Sequence, residues 1–312
     1  MSHNHCLAPR AAVVFILAAF VAANITDDAR AAEAADAVAA KCKSECVGGL
    51  TWFTDYYDAY RAAASGRGWM LLVNVTPCNG TCSQQQNADQ AIAASAPLRQ
   101  QLGGVVRLRV PANATIDVDG KPVRLLSYRA FSQLQGGPGF VLIDLANKNA
   151  PYYGDAVSVL PFAGGKYYNW RSDYLSVVLG LPAGTLTQRT MIWAVRIHPE
   201  RPRSTEGQFN PGLAEGATHQ ASYQASVGVQ GHQNFGTRFD QLVSASGTMG
   251  VSEVCAQSWP GQNMIDSCID CVASWRQSSG HWQGVSSYHQ SYGYDISRGG
   301  NGIWYGTGIF GD

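Results

Sequence analysis

Strand-length apolar runs recur between stretches of helical period from residue 52 to residue 181, and this alternation restricts the fold more than any other feature of the chain. Apolar and aromatic residues follow helical spacing over residues 52–64, and Gly66-Arg67-Gly68 stops that helix. Trp69-Met70-Leu71-Leu72-Val73-Asn74-Val75 then reads as a buried strand. A polar-faced helix over residues 84–102, a strand over 105–110, a helix over 123–134 and a strand over 140–145 continue the pattern. A last helix fits residues 170–181. Strands alternating with helices predict an α/β layer architecture, because a sheet face stays buried only when helices cover it.

Leu181-Pro182-Ala183-Gly184 ends one helix with two breakers, and Thr185 opens the next with Gln188 three residues on, a capping-box spacing. That helix runs to His198-Pro199. The breakers divide the chain into one domain over residues 48–182 and a second over 186–312, each with its own core. Residues 217–225 read as an amphipathic helix in the second, and no internal repeat is visible.

The N-terminus sets the compartment. His3, His5 and Arg10 precede an apolar, alanine-rich run over residues 11–23, and no acidic residue appears before Asp27. This predicts a secretory signal peptide over residues 1–23, cut after Val21-Ala22-Ala23, with Ala29-Arg30-Ala31 as a second cleavage site. The run falls short of the roughly 20 apolar residues that a membrane span needs, and no later segment reads as transmembrane. An Ala-rich tether over residues 24–47 follows, and the protein is expected to be secreted or periplasmic. Lys and Arg (22) balance Asp and Glu (22), so no basic stripe points to nucleic acid and no basic amphipathic helix to a membrane surface.

Cys6 lies in the predicted leader, which leaves Cys42, Cys46, Cys78, Cys82, Cys255, Cys268 and Cys271 in the exported chain. An oxidising compartment favours structural disulfides for most of them, and an odd count leaves at least one thiol over. Cys78-Asn79-Gly80-Thr81-Cys82 follows a predicted strand and leads into a predicted helix, whose N-terminus lowers a thiol pKa. Gly136-Gly137-Pro138-Gly139 precedes the next core strand. Together these features resemble the thioredoxin-like proteins over about residues 48–182. The resemblance implies that Pro138, its preceding peptide cis, faces a redox pair formed by Cys78 and Cys82. Three residues separate those cysteines where the commoner redox motif has two. That spacing resembles copper-delivery members of the family, but no His stands between residues 6 and 197 to complete a copper site.

Gly228-Val229-Gln230-Gly231-His232, Ser252-Glu253-Val254-Cys255, Asp270-Cys271-Val272-Ala273-Ser274-Trp275-Arg276-Gln277-Ser278-Ser279-Gly280-His281 and a glycine-spaced aromatic ending over residues 292–311 occur in that order. Their order and content resemble the CAP superfamily of secreted proteins (cysteine-rich secretory proteins, antigen five and pathogenesis-related one). The resemblance covers about residues 186–312 and implies an α-β-α sandwich with a central cleft. It assigns to that cleft His232 at a helix end, Glu253, Asp270 in place of the commoner Glu, and His281 in a turn. It also implies a disulfide from Cys255 to Cys268 or Cys271. His219 and His289 stay outside the cleft.

Two imidazoles and two carboxylates can hold zinc or another divalent metal, with His232 and His281 as the nitrogen ligands, or can do acid/base chemistry. The expectation is therefore an exported binding protein whose cleft, metal-loaded, takes a lipid, a peptide or a cell-surface ligand. The alternative is an enzyme, either a metal-assisted hydrolase at the cleft or a thiol-disulfide oxidoreductase at Cys78 and Cys82.

Overall fold

The computed structural model describes residues 43–65 and 69–312. The predicted leader, most of the tether, Cys6, Cys42 and the Gly66-Arg67-Gly68 stop lie outside the described residues. The last tether residues are not a linker. Ser44–Val47 (β1) pairs antiparallel with Leu50–Phe53 (β2), so Trp52 and Phe53, expected in a helix, are strand residues. Gly48 closes this hairpin at a φ of 60°, and a Cβ there would meet Ile92 Cγ2 at 2.6 Å, so only glycine fits.

Tyr56–Ala64 (α1) starts where Asp55 accepts the Asp58 N–H, and it leads to Met70–Thr76 (β3). The helix expected over 84–102 is two helices, Ser83–Ala94 (α2) and Ala96–Gly103 (α3). Ser95 ends the first and caps the second, because Pro97 cannot donate to a continuing helix. After Val106–Pro111 (β4), the expected helix over 123–134 is instead a hairpin followed by two short 3-10 turns. Thr115–Val118 (β5) turns at Asp119 and Gly120, both at positive φ, into Lys121–Arg124 (β6). Gly139–Asp144 (β7) and the unanticipated Ala156–Pro161 (β8) complete a sheet of order β1-β2-β4-β3-β7-β8. β2, β4 and β3 are parallel neighbours, and β7 and β8 run antiparallel. Along β3, Leu72 faces one core, while Leu71, Val73 and Val75 face the other, so helices and turns cover both faces.

Asp173–Leu179 (α4) precedes Leu186–Arg196 (α5), where the Thr185–Gln188 capping box forms. The rest of the chain builds a second sheet. Its elements are Gln208–Phe209 (β9), Pro211–Val227 (α6), Phe235–Ser246 (α7), Val251–Gln257 (β10), Met264–Gln277 (α8), Ser279–Ser286 (α9), Ser291–Arg298 (β11) and Trp304–Gly311 (β12). The strand order is β10-β12-β11-β9. Side chains alternate across it. Gly293 abuts α6 at Ala214, while the neighbouring Tyr294 turns to Trp275 of α8, with ring centroids 5.9 Å apart. Helices therefore cover both faces of this sheet, and the chain is of mixed α/β class.

The expectation of two separate cores is corrected. One cluster of buried side chains runs from Leu72, Phe140 and Val157 through Met191, Ile192 and Trp193 of α5 to Val254, Trp275 and Tyr294. Residues 189–195 of α5 are all buried, Arg189 and Thr190 among them, and a helix buried on every side must sit between two layers. Two polar devices hold the join. The buried Arg189 guanidinium donates to the carbonyls of Val157, Val178, Leu181 and Pro182 and to Ser158 Oγ. Asp266 of α8 accepts the N–H groups of Lys166, Tyr167 and Tyr168 from the first half.

Candidate functional site

α6 stops at Gly228, which takes a φ of 70° and donates its N–H to Gln224 O. His232 therefore lies in the loop beyond the helix, not at its end as expected. Two buried glutamines of α6 fix that loop: Gln224 Oε1 accepts the Gly231 N–H at 3.0 Å, and Gln220 Nε2 donates to Gly231 O at 2.7 Å. A loop held at two backbone points presents His232 in one place, with its side chain 44% exposed.

Glu253 stands on β10 beneath it, its side chain 1% exposed. One carboxylate oxygen, Oε1, accepts from His232 Nδ1 at 3.1 Å, and the other, Oε2, accepts from Arg238 Nη2 of α7 at 2.9 Å. Because the carboxylate can only accept here, the proton of a neutral His232 sits on Nδ1 and Nε2 carries the lone pair. That Nε2 lies 3.4 Å from His281 Nε2, and the two rings are 5.6 Å apart by centroid. His281 belongs to α9, a helix where a turn was expected. Burial, and after it the neighbouring His232, lowers the His281 pKa below the ordinary imidazole value and so favours the neutral, ligating form.

Cys255, two residues beyond Glu253, points to the same side of β10. Its Sγ is 3.6 Å from Glu253 Oε1 and 3.9 Å from Thr307 Oγ1, and burial, reinforced by Glu253, pushes the thiol pKa up. Arg238, Gln220 and Gln224 carry no motif signal, and sequence reasoning missed them. Of the four cleft residues expected, the structure brings together His232, Glu253 and His281.

Asp270 is the exception. It accepts the Trp259 N–H at 3.2 Å and has Lys166 and Asp266 as charged neighbours, toward the first half of the chain. Burial raises its carboxyl pKa, with the Trp259 N–H and Lys166 opposing. The expected disulfide from Cys255 is also corrected, since Cys255, Cys268 and Cys271 are all free thiols. Cys255 lies opposite Thr307 in the strand register, whereas Cys271 sits against the Cβ side of Gly306. Adjacent residues of one strand face opposite ways, so the sheet separates the two sulfurs.

In the first half, Cys78 is exposed and Cys82 is the N-cap of α2, its Sγ accepting the Gln85 N–H at 3.4 Å. Both are free thiols. The hollow beside their loop holds about 320 Å³ and is lined by Pro77, Gly80 and Thr81 together with Arg109, which pairs with Asp89 at 2.9 Å and Glu45 at 3.1 Å. Pro138 does not line it. No peptide among the described residues is cis, so the expected cis bond before Pro138 is corrected. Its carbonyl accepts the Phe162 N–H, which extends the β7–β8 pairing by one step.

The chain matches no protein-family model, no curated protein and no solved structure. No helix among the described residues is long and apolar enough to cross a membrane.

Proposed function

We propose that the chain is an exported binding protein of CAP-like type, in which His232 and His281 hold a divalent cation such as zinc at the mouth of a ligand cleft. The observation that carries this reading is the 3.4 Å separation of the two Nε2 atoms. Two nitrogens on one tetrahedral zinc, each 2.0–2.1 Å from the ion, stand about 3.3 Å apart. Glu253 orients His232 by taking the Nδ1 proton, the outer carboxylate–imidazole contact that ligating histidines commonly make. Arg238 holds the second oxygen of Glu253, so the carboxylate cannot swing away. A cation bound there supplies a Lewis acid with open positions for a carboxylate, phosphate or carbonyl oxygen of a lipid or peptide. The displacement of Asp270 counts against the hydrolase alternative, which needs a second carboxylate in reach.

The test is zinc titration of the purified protein by calorimetry, with metal content checked after dialysis. One zinc per chain is expected, and His232→Ala should lose it while His281→Ala binds it more weakly, both variants keeping the native far-ultraviolet spectrum. Absence of stoichiometric zinc in the unaltered protein would sink the reading.

A second reading, thiol-disulfide exchange at Cys78 and Cys82 in a thioredoxin-like half, is supported by the position of Cys82 at the N-terminus of α2 after a parallel strand-helix-strand start. Insulin reduction by the dithiol form, lost in Cys78→Ser, is the expected result if it holds.

A further inference from the structure

His232 has two ring nitrogens, and only Nε2 faces His281. The other, Nδ1, belongs to a second set of donor atoms: His232, Glu253 and Cys255 each offer one ligand atom, and all three atoms lie within 4.8 Å of one another. We infer that these residues form a separate position for a thiophilic dication of the zinc and cadmium class, on the side of His232 away from His281. The inference goes beyond the histidine pair and does not need it.

Glu253 Oε1 is the pivot. It lies 3.1 Å from His232 Nδ1 and 3.6 Å from Cys255 Sγ. Nitrogen and oxygen ligands near 2.0–2.1 Å and a thiolate near 2.3 Å from one tetrahedral ion stand about 3.3 to 3.6 Å from each other, so the two sides that meet at Glu253 Oε1 are already near ligand dimensions and the third, from Nδ1 to Sγ, is no longer than 4.8 Å. Both neighbours also point a hydrogen at the same oxygen, Nδ1–H from one side and Sγ–H from the other. A dication entering the triangle takes the place of those two hydrogens.

The proton balance closes on residues of this chain. Cys255 loses its thiol proton to solvent and becomes the thiolate ligand. His232 stays neutral: its proton leaves Nδ1 and is regained on Nε2, where His281 Nε2, 3.4 Å away, accepts the hydrogen bond. One cation enters and one proton leaves the protein. Glu253 keeps Arg238 on its far oxygen throughout, which fixes the carboxylate while the ion binds the near one. Entry is from solvent past the half-exposed imidazole, since Cys255 itself is buried. A sulfur donor sets this position apart from the histidine pair, because soft thiolates select zinc and its heavier relatives over oxygen-seeking cations.

Cobalt(II) is the probe, because a cobalt-bound thiolate gives a near-ultraviolet charge-transfer band that imidazole and carboxylate ligands do not give. The reduced full chain titrated with cobalt should develop that band together with tetrahedral visible absorption. Cys255→Ser, which keeps the size and the hydrogen bond, should lose the band, and His281→Ala should retain it. Visible absorption without the band in the unaltered protein overturns the thiolate position and leaves the histidine pair standing. No cobalt signal at all overturns both. A band undiminished in Cys255→Ser, or lost in His281→Ala, equally overturns a separate His232–Glu253–Cys255 site.

Discussion

The cysteine loop and the histidine cleft are assembled in opposite ways. Cys78 and Cys82 lie on one loop between β3 and α2, and α2 alone fixes the capping position of Cys82. His232, Glu253 and His281 come from a loop, an edge strand and a helix spread over 50 residues, and each is held by a different neighbour. A local site survives what its own helix survives. A convergent site needs the whole layer packing, and with it the core that joins the two sheets through α5.

The largest effect is therefore expected far from either site. Arg189→Met removes the donors to three buried carbonyls, the half-buried Pro182 carbonyl and one hydroxyl and should cost about 4 kcal/mol, several unsatisfied acceptors at about 1 kcal/mol or more each. Because Leu72 and Trp275 belong to one core cluster, far-ultraviolet and tryptophan signals should report a single, shifted urea transition. Two separated transitions would show that the sheets stand independently, and the contrast between the sites would lose its basis.

Glu253→Gln comes next. It leaves the Arg238 charge without its buried partner and should cost about 2–3 kcal/mol in urea unfolding. The same change frees the His232 ring and should weaken zinc binding about 10- to 100-fold, the usual range for a lost outer-shell contact. Unchanged zinc affinity in this variant would mean that the carboxylate does not orient the ligand.

What could be read from the chain divides along the same line. The Thr185–Gln188 box and the strand runs near 70–76 and 139–144 are local patterns, and they formed within a residue or two of where periodicity put them. The break at Ser95 and the Asp119-Gly120 turn also have local signals, Pro97 inside the expected 84–102 helix and the Asp-Gly pair just before the expected 123–134 helix. Asp270 was beyond local reading. Whether it turns to the cleft or to Trp259 depends on the rotation of α8, which packing of Cys268, Cys271 and Trp275 decides. For the same reason Cys255 could be assigned a disulfide from the resemblance, although the register puts β12 between it and Cys271.

A smaller effect follows from His281. Its folded pKa lies below the unfolded value of about 6.5, so the unfolded chain takes up the proton first as pH falls. Stability should thus be full above that value, decline as pH drops through about 6.5, and level off below the folded pKa. His198, also desolvated, adds a change of the same sign. Comparing urea midpoints at two pH values on either side of that window, His281→Gln should show a shallower decline than the unaltered protein. An identical slope would mean that the ring near His232 is not desolvated enough to matter.

The smallest effect belongs to the cysteine loop. Cys82 caps α2 through a sulfur that accepts the Gln85 N–H at 3.4 Å, and serine is a better acceptor at the same position. Cys82→Ser should therefore leave stability within about 0.5 kcal/mol, whereas Cys82→Ala, which removes the acceptor, should cost up to about 1 kcal/mol. Neither change should alter zinc affinity, because no element that positions His232 or His281 leans on the α2 cap. Thiol exchange, if the loop performs it, should vanish in both variants alike. A shift in zinc binding on Cys82→Ser would tie the local site to the convergent one, and then the loop could no longer be treated as a self-contained piece of chain.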